Sequence, residues 1–191
     1  MINLKKYLFF CILLAFSYAV VTVDPNDASC FAEIKLGQKL PVAKFTVSGA
    51  TVSNIIIQNN GAVAFTLKGI KRVSIYQSST GLTPEIAAST LFDSTNKKLV
   101  SLSSSFAAGD YYIFYEVASD ATPELYAQVA LIEYSDSNTP NQTISNSDQP
   151  KNIQLLPSGL TYVQSRFMGL APSQNISRGL SNIPEIGRAH V

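Results

Sequence analysis

Residues 111–115 read Tyr111-Tyr112-Ile113-Phe114-Tyr115, five large side chains in a row, and the run continues to Val117. A strand points successive side chains to opposite faces of its sheet, so this run is apolar on both faces. That pattern is typical of a central strand covered on each side. We therefore interpret the three tyrosines as core residues; a sugar-stacking platform is the alternative.

Runs of alternating apolar and β-branched residues recur on both sides of this strand, and no segment shows a helical period. The chain must stack two sheets to bury a core with such short strands. The sequence therefore predicts an all-β fold, an antiparallel β-sandwich or jelly roll of about eight to nine strands. The predicted strands are 31–36, 42–47, 52–58, 62–67, 72–77, 89–92, 98–102, 111–117 and 125–134.

Asn59-Asn60-Gly61 stands between the predicted strands 52–58 and 62–67. An Asn-Gly pair supplies the positive φ values that a tight primed turn requires. The sequence therefore predicts an antiparallel hairpin of these two strands.

The first 19 residues have the features of a secretory signal peptide. Lys5 and Lys6 precede an apolar run over residues 7–16, and Ser17 and Ala19 place small residues at positions −3 and −1 of a cleavage site after Ala19. The run is short for a membrane crossing, which needs about 20 apolar residues. We expect a secreted or cell-surface protein; an uncleaved N-terminal anchor is the alternative.

The last seven residues, 185–191, match one reading frame of a widely used sequencing adapter. We expect them to be a translation artefact. The natural C-terminus would then be missing from this sequence, and His190 would not belong to the protein. The alternative is a natural tail of ordinary composition. Without the leader and this tail, 11 basic and 12 acidic residues remain. Such a balance does not indicate nucleic-acid binding, which favours a clustered basic stripe.

A polar stretch rich in Ser, Asn, Asp, Thr and Pro covers residues 135–150 and predicts a surface linker. The domain plan is then a lead-in at 20–30, a sandwich at 31–134, and a segment 151–184. This last segment either starts a truncated second β domain or supplies the last strands of the first. A repeat is suggested by the similarity of Ile34-Lys35-Leu36 to Ile153-Gln154-Leu155. Asn141 and Asn175 begin glycosylation sequons.

The chain offers few residues for catalysis or metal binding. Apart from His190 it contains no histidine, which excludes histidine-dependent triads and zinc sites from the visible part. Cys30 is left as a single cysteine after removal of the leader, so it predicts a disulfide partner elsewhere. Asp110 and Asp120 flank the strand 111–117 and are calcium candidates, with solvated turn aspartates as the alternative. No other cofactor is indicated, and we do not expect an enzyme.

Two further segments carry a resemblance to a known family. Ala108-Gly109-Asp110-Tyr111-Tyr112-Ile113 resembles the closing strand of the bacterial pre-peptidase C-terminal domain, and Arg72-Val73-Ser74-Ile75-Tyr76 is similar to its middle strand. The resemblance covers about residues 42–117 and implies a secreted, non-catalytic accessory module. The acidic residue usual before the middle strand is absent at Arg72, so no metal site is carried over.

Two functional hypotheses follow from these observations. The first is a non-catalytic binding or adhesion module that contacts carbohydrate or protein through loops on a rigid sandwich. The second is an N-terminal accessory domain of a larger secreted hydrolase whose catalytic part lies downstream.

Overall fold

The computed structural model describes residues 18–89, 97–136, 138–144 and 150–158, and these residues form eleven strands and no helix. No helix capable of crossing a membrane is therefore found in the described ranges. The strands are β1 (Val20–Asp24), β2 (Glu33–Lys35), β3 (Lys39–Ser48), β4 (Val52–Gln58), β5 (Ile70–Tyr76), β6 (Ala87–Ser89), β7 (Leu99–Phe106), β8 (Gly109–Val117), β9 (Tyr126–Asp136), β10 (Gln142–Thr143) and β11 (Lys151–Leu156).

The strands form two sheets that enclose one core. The five-stranded sheet has the order β1-β3-β8-β5-β6, and the six-stranded sheet has the order β2-β11-β9-β4-β7 with β10 attached to β9. All named pairs are antiparallel except β2 with β11, which is parallel. The predicted all-β sandwich is confirmed, with more strands than the sequence indicated.

Strand β8 is the middle strand of the five-stranded sheet, paired with β3 on one side and β5 on the other. Tyr111 and Tyr115 are buried between the sheets, as the core interpretation expects, but Tyr112 is half-buried on the outer face, so the interpretation is wrong for this residue. The hydroxyl of Tyr115 donates to the carbonyl of Gln128 at 2.8 Å, which satisfies this buried polar group. Burial also raises the pKa of Tyr115, so the phenol stays neutral.

An aromatic cluster fills one end of the core. Phe45 of β3 stacks on Tyr111 with ring centroids 5.2 Å apart, and Phe106 of β7 meets both rings edge-on. Offset and edge-on contacts of this kind add to the stability gained from burial alone. The cluster therefore connects the two sheets through side chains from three strands.

The predicted hairpin of 52–58 with 62–67 is wrong. Strand β4 lies between β7 and β9, and residues 59–69 leave its sheet and lead to β5 in the opposite sheet. Among the described residues, the second segment has one isolated β-bridge, between Phe65 and Ile70. Neither Asn60 nor Gly61 has the positive φ of a primed turn. Antiparallel partners from distant parts of the chain replace the local one.

The residues that predicted a turn serve this crossover instead. Asn59 is fully buried, and Gly61 passes so close to β9 that an added Cβ would lie 2.6 Å from the carbonyl oxygen of Tyr126. Gly61 is therefore required because the two backbones approach too closely for a side chain, and not because of a positive φ.

Several boundaries differ from the domain plan. The predicted lead-in contains β1, which pairs with β3, and the predicted linker contains β10, which folds back on β9. Strand β11 lies in the same sheet as β9 and β2, so residues 151–156 belong to the sandwich. The two similar tripeptides are neighbours in that sheet, since Leu155 pairs with Ile34. Residues 1–17, 159–184 and 185–191 lie outside the described residues.

Candidate binding surfaces

The outer face of the five-stranded sheet carries paired charges, and we call it the charged face. Glu116 of β8 forms an ion pair with Lys71, with Oε1 3.0 Å from the ammonium nitrogen. Glu85 forms ion pairs with Arg72 of β5 and with Lys39 of β3, whose ammonium nitrogen lies 3.8 Å from Oε2. Each charged group named here therefore has a partner on the same face.

Glu85 holds the segment between β5 and β6 against the sheet. Both of its carboxylate oxygens accept from the Arg72 guanidinium, and the Tyr76 hydroxyl donates to Oε2 at 2.8 Å. Both of these arginine bonds come from Nη2 and join two ionised groups, and such charge-assisted hydrogen bonds are stronger than neutral ones. The clamp positions a loop at whose tip Leu82 is 88% exposed. The loop thus presents one apolar side chain from a fixed base.

The outer face of the six-stranded sheet has a different chemistry, and we call it the amide face. Strand alternation and the register put five amide side chains on this side, next to Tyr126, which is 41% exposed. The five residues are Asn54, Gln58, Gln128, Asn152 and Gln154. They lie on the adjacent strands β4, β9 and β11, and Ser101 and Ser103 of β7 extend the face.

Hydrogen bonds between strands order part of the amide face. Ser101 and Ser103 donate to Oδ1 of Asn54 at 2.7 and 3.1 Å, and Nε2 of Gln128 donates to Oδ1 of Asn152 at 2.9 Å. These contacts fix the orientation of the acceptor oxygens while the side chains remain partly or fully exposed. The result is a surface of amide and hydroxyl donors and acceptors, to which Glu133, opposite Ile56, and Glu33, opposite Gln154, add two carboxylates.

The two calcium candidates do not meet. Asp110 lies at the start of β8 and Asp120 in the turn after its end. Both oxygens of Asp110 are occupied, since Thr46 donates to Oδ1 at 2.6 Å and the Lys44 ammonium lies 2.9 Å from Oδ2. The hydrogen bond from Thr46, with that from Lys44, lowers the pKa of Asp110. Within the described ranges, no group of three acidic, cysteine or histidine side chains is placed to hold a metal.

The remaining candidate residues are scattered. Asn141 is exposed with φ of 56° at the tip before β10, and its sequon stays a prediction. Asn175 lies outside the described residues. Cys30 is half-buried, and within the described part of the chain it is a free thiol. Its carbonyl accepts from the Lys151 ammonium at 3.3 Å.

We expect Cys30 to react slowly with thiol reagents. Desolvation by burial, opposed by the charge on Lys151, raises its pKa to about 11. The thiolate is the reactive form of cysteine. At about pH 8 the thiolate is about a thousandth of Cys30, whereas it is about a quarter of an ordinary cysteine. Alkylation by iodoacetamide should therefore be about 200-fold slower than in the urea-unfolded chain, and should rise steadily up to about pH 11. An alkylation rate of the folded protein with its pH midpoint at about 8.5 would contradict this prediction.

The described residues form a β-sandwich module. No protein-family model matches the sequence, and no curated protein matches it. Similar solved structures include a DUF4466 family protein from Parabacteroides merdae, which is 13% identical with a TM-score of 0.39 and covers 70% of this chain and 44% of its own. A cohesin module of a family 33 glycoside hydrolase from Clostridium perfringens is 9% identical with a TM-score of 0.39, and the match covers 74% of this chain and 98% of the cohesin module. A third structure is self-complemented MyfA, the major subunit of Myf fimbriae from Yersinia enterocolitica, in complex with galactose. It is 10% identical with a TM-score of 0.26, and the match covers 66% of this chain and 99% of MyfA.

The chain spans less than half the length of the first of these structures. TM-scores this low give no argument about a ligand or partner. The resemblance to the pre-peptidase C-terminal domain stays a prediction.

Sequence reasoning missed the amide face. Its members are separated by up to a hundred positions, from Asn54 to Gln154, and each looks like an ordinary polar residue of a strand. The available signal was the placement of amides among apolar residues at even spacings, at positions 54 and 58, at 128, and at 152 and 154. That signal becomes a surface once the order β11-β9-β4 is known.

Proposed function

We propose that this chain is a secreted or cell-surface, non-catalytic β-sandwich module that binds neutral carbohydrate on the amide face. The observation that carries the proposal is the array of five amides beside the exposed ring of Tyr126. The same module would serve as an accessory domain if a catalytic part is joined to it.

The chemistry of the amide face suits sugar hydroxyls. Each carboxamide offers two donors and a carbonyl acceptor, and a sugar hydroxyl is both donor and acceptor. Tyr126 adds an apolar ring with a polar tip, which can lie against a sugar ring. The strands β7, β4, β9 and β11 span about 15 Å, three inter-strand spacings. A short oligosaccharide could therefore cross several strands.

A protein ligand is the second candidate, and the Leu82 loop favours it. Leu82 is 88% exposed on a loop that Glu85 anchors to β5. An apolar side chain held out from a rigid base loses little conformational freedom on binding. This loop lies on the opposite sheet from the amide face, so the two candidates can be separated by mutation.

A glycan array probed with the full chain, secreted from a eukaryotic host, tests the carbohydrate proposal. We expect binding to neutral glycans and a loss of about tenfold or more in affinity when Asn152→Ala and Gln154→Ala are combined. Leu82→Ala is the matched control on the other sheet and should leave binding unchanged. Absence of binding to every glycan would overturn the proposal. Loss of binding with Leu82→Ala alone would move the site to the loop.

A further inference from the structure

Ala19, the residue before β1, is a packed part of the sandwich. It is 3% exposed, and both of its backbone polar groups are bound by β9 side chains. Its N–H donates to Oδ2 of Asp136 at 3.1 Å, and its carbonyl accepts from the Tyr134 hydroxyl at 2.7 Å. The backbone of residue 19 therefore joins the five-stranded sheet to β9 of the six-stranded sheet.

Asp136 is 6% exposed and needs these donors. Its Oδ1 accepts from the N–H groups of Asn138 and Thr139 and from the Thr139 hydroxyl, and its Oδ2 accepts from Ala19. Desolvation by burial raises the pKa of Asp136, but these hydrogen bonds outweigh it and leave the pKa below its ordinary value. The ionised carboxylate would lose the donor at Oδ2 if Ala19 were removed.

Tyr134 depends on Ala19 in the same way. The side chain is 9% exposed, and desolvation, with the nearby charge of Asp136, raises its pKa so that the hydroxyl remains a donor. Its acceptor is the carbonyl of Ala19. A buried hydroxyl without a partner is unfavourable, so removal of Ala19 would destabilise this end of the core.

The turn after β3 is also shaped around the chain before β1. Gly49 has φ of 79°, and a Cβ on it would collide with the carbonyl oxygen of Tyr18. The Ala50 N–H points to that same oxygen at 3.5 Å. Tyr18 and Ala19 thus make contacts with two separate parts of the fold.

The sequence prediction of cleavage after Ala19 conflicts with these contacts, because it would discard both residues. We propose that signal peptidase instead cuts the bond between Ser17 and Tyr18, so that the mature chain begins at Tyr18. Ala15 and Ser17 then supply the small residues at positions −3 and −1. The proposal rests on the signal-peptide prediction and is independent of the proposed ligand.

Mass spectrometry of the N-terminal peptide tests this directly. The full chain is expressed in a eukaryotic secretory host, and the secreted protein is digested and sequenced. We expect the first residue to be Tyr18. A mature chain starting at Val20, an uncleaved chain, or a start at any other residue would overturn the assignment.

A second experiment tests the physical reason. Chains that begin at Tyr18 and at Val20 are compared by thermal unfolding, each with and without Tyr134→Phe. We expect the Val20 chain to melt about 5 °C lower or more, since two buried groups lose their partners. Tyr134→Phe should lower the Tm of the Tyr18 chain but not that of the Val20 chain. The half-exposed Tyr112→Phe is the control and should change neither. Equal effects of Tyr134→Phe in both chains would show that Ala19 is not its acceptor and would overturn the argument.

Discussion

Replacement of Asn59 by alanine should lower the free energy of unfolding by about 4 kcal/mol, because three backbone groups in buried or part-buried hydrogen bonds lose their partner. Asn59 is fully buried. Its Nδ2 donates to the carbonyl of Val63 at 2.7 Å, and its Oδ1 accepts from Gly61 at 3.0 Å and Gln128 at 2.7 Å. One side chain thus holds the end of β4, the crossover and β9 together. Urea unfolding of the full secreted chain measures the change.

Asn60→Ala is the matched control for this prediction. Asn60 is the next residue, carries the same amide and is exposed. Its replacement should change the free energy of unfolding by about 0.5 kcal/mol or less. Similar losses for the two variants would show that the buried amide contributes no more than an exposed one, contrary to the geometry.

Phe45→Ala should lower the free energy of unfolding by about 4 kcal/mol, a loss typical of the truncation of a fully buried phenylalanine. Phe45 is 0% exposed and contacts Tyr111 at 5.2 Å and Phe106 at 6.1 Å between ring centroids. These neighbours belong to β8 and β7 in different sheets, so the cavity would open between the layers. Surrounding side chains can close such a cavity only in part.

Phe31→Ala provides the comparison for Phe45, since Phe31 is 48% exposed. The same truncation there should cost about 1 kcal/mol, because less apolar surface leaves water on folding. A loss for Phe45→Ala no larger than that for Phe31→Ala would contradict the placement of Phe45 in the core. Both variants can be followed by the same urea titration.

Local pattern was sufficient to find most strands. The run at 111–117 predicted β8, and 52–58 coincides with β4, because alternation of apolar and polar side chains reports directly on which face is buried. Pairing was harder to predict. The Asn-Gly signal at 60–61 favoured a local hairpin, but β4 found its neighbours in β7 and β9. Ile55 and Ile57 are fully buried in the core, and the pairing of β4 with both β7 and β9 outweighs the preference of a two-residue turn.

The candidate site could not be predicted in the same way. Asp110 and Asp120 were close in sequence and lie at opposite ends of β8, while Asn54 and Gln154 were distant and share one face. Side chains within one strand are spread along its length at about 3.3 Å per residue. A surface across strands therefore depends on their order, which single-strand patterns do not contain.

The sequence by itself determined that this protein is an all-β sandwich with an aromatic central strand, since side-chain alternation and turn residues act locally. Tertiary structure decided which strands are neighbours, which asparagine is buried, and that Ala19 belongs to the fold. Those outcomes depend on burial and on hydrogen bonds between residues far apart in the sequence, such as Ala19 and Asp136, which are 117 positions apart. A buried polar group needs a hydrogen-bond partner, and here the tertiary structure supplies that partner from a distant part of the chain.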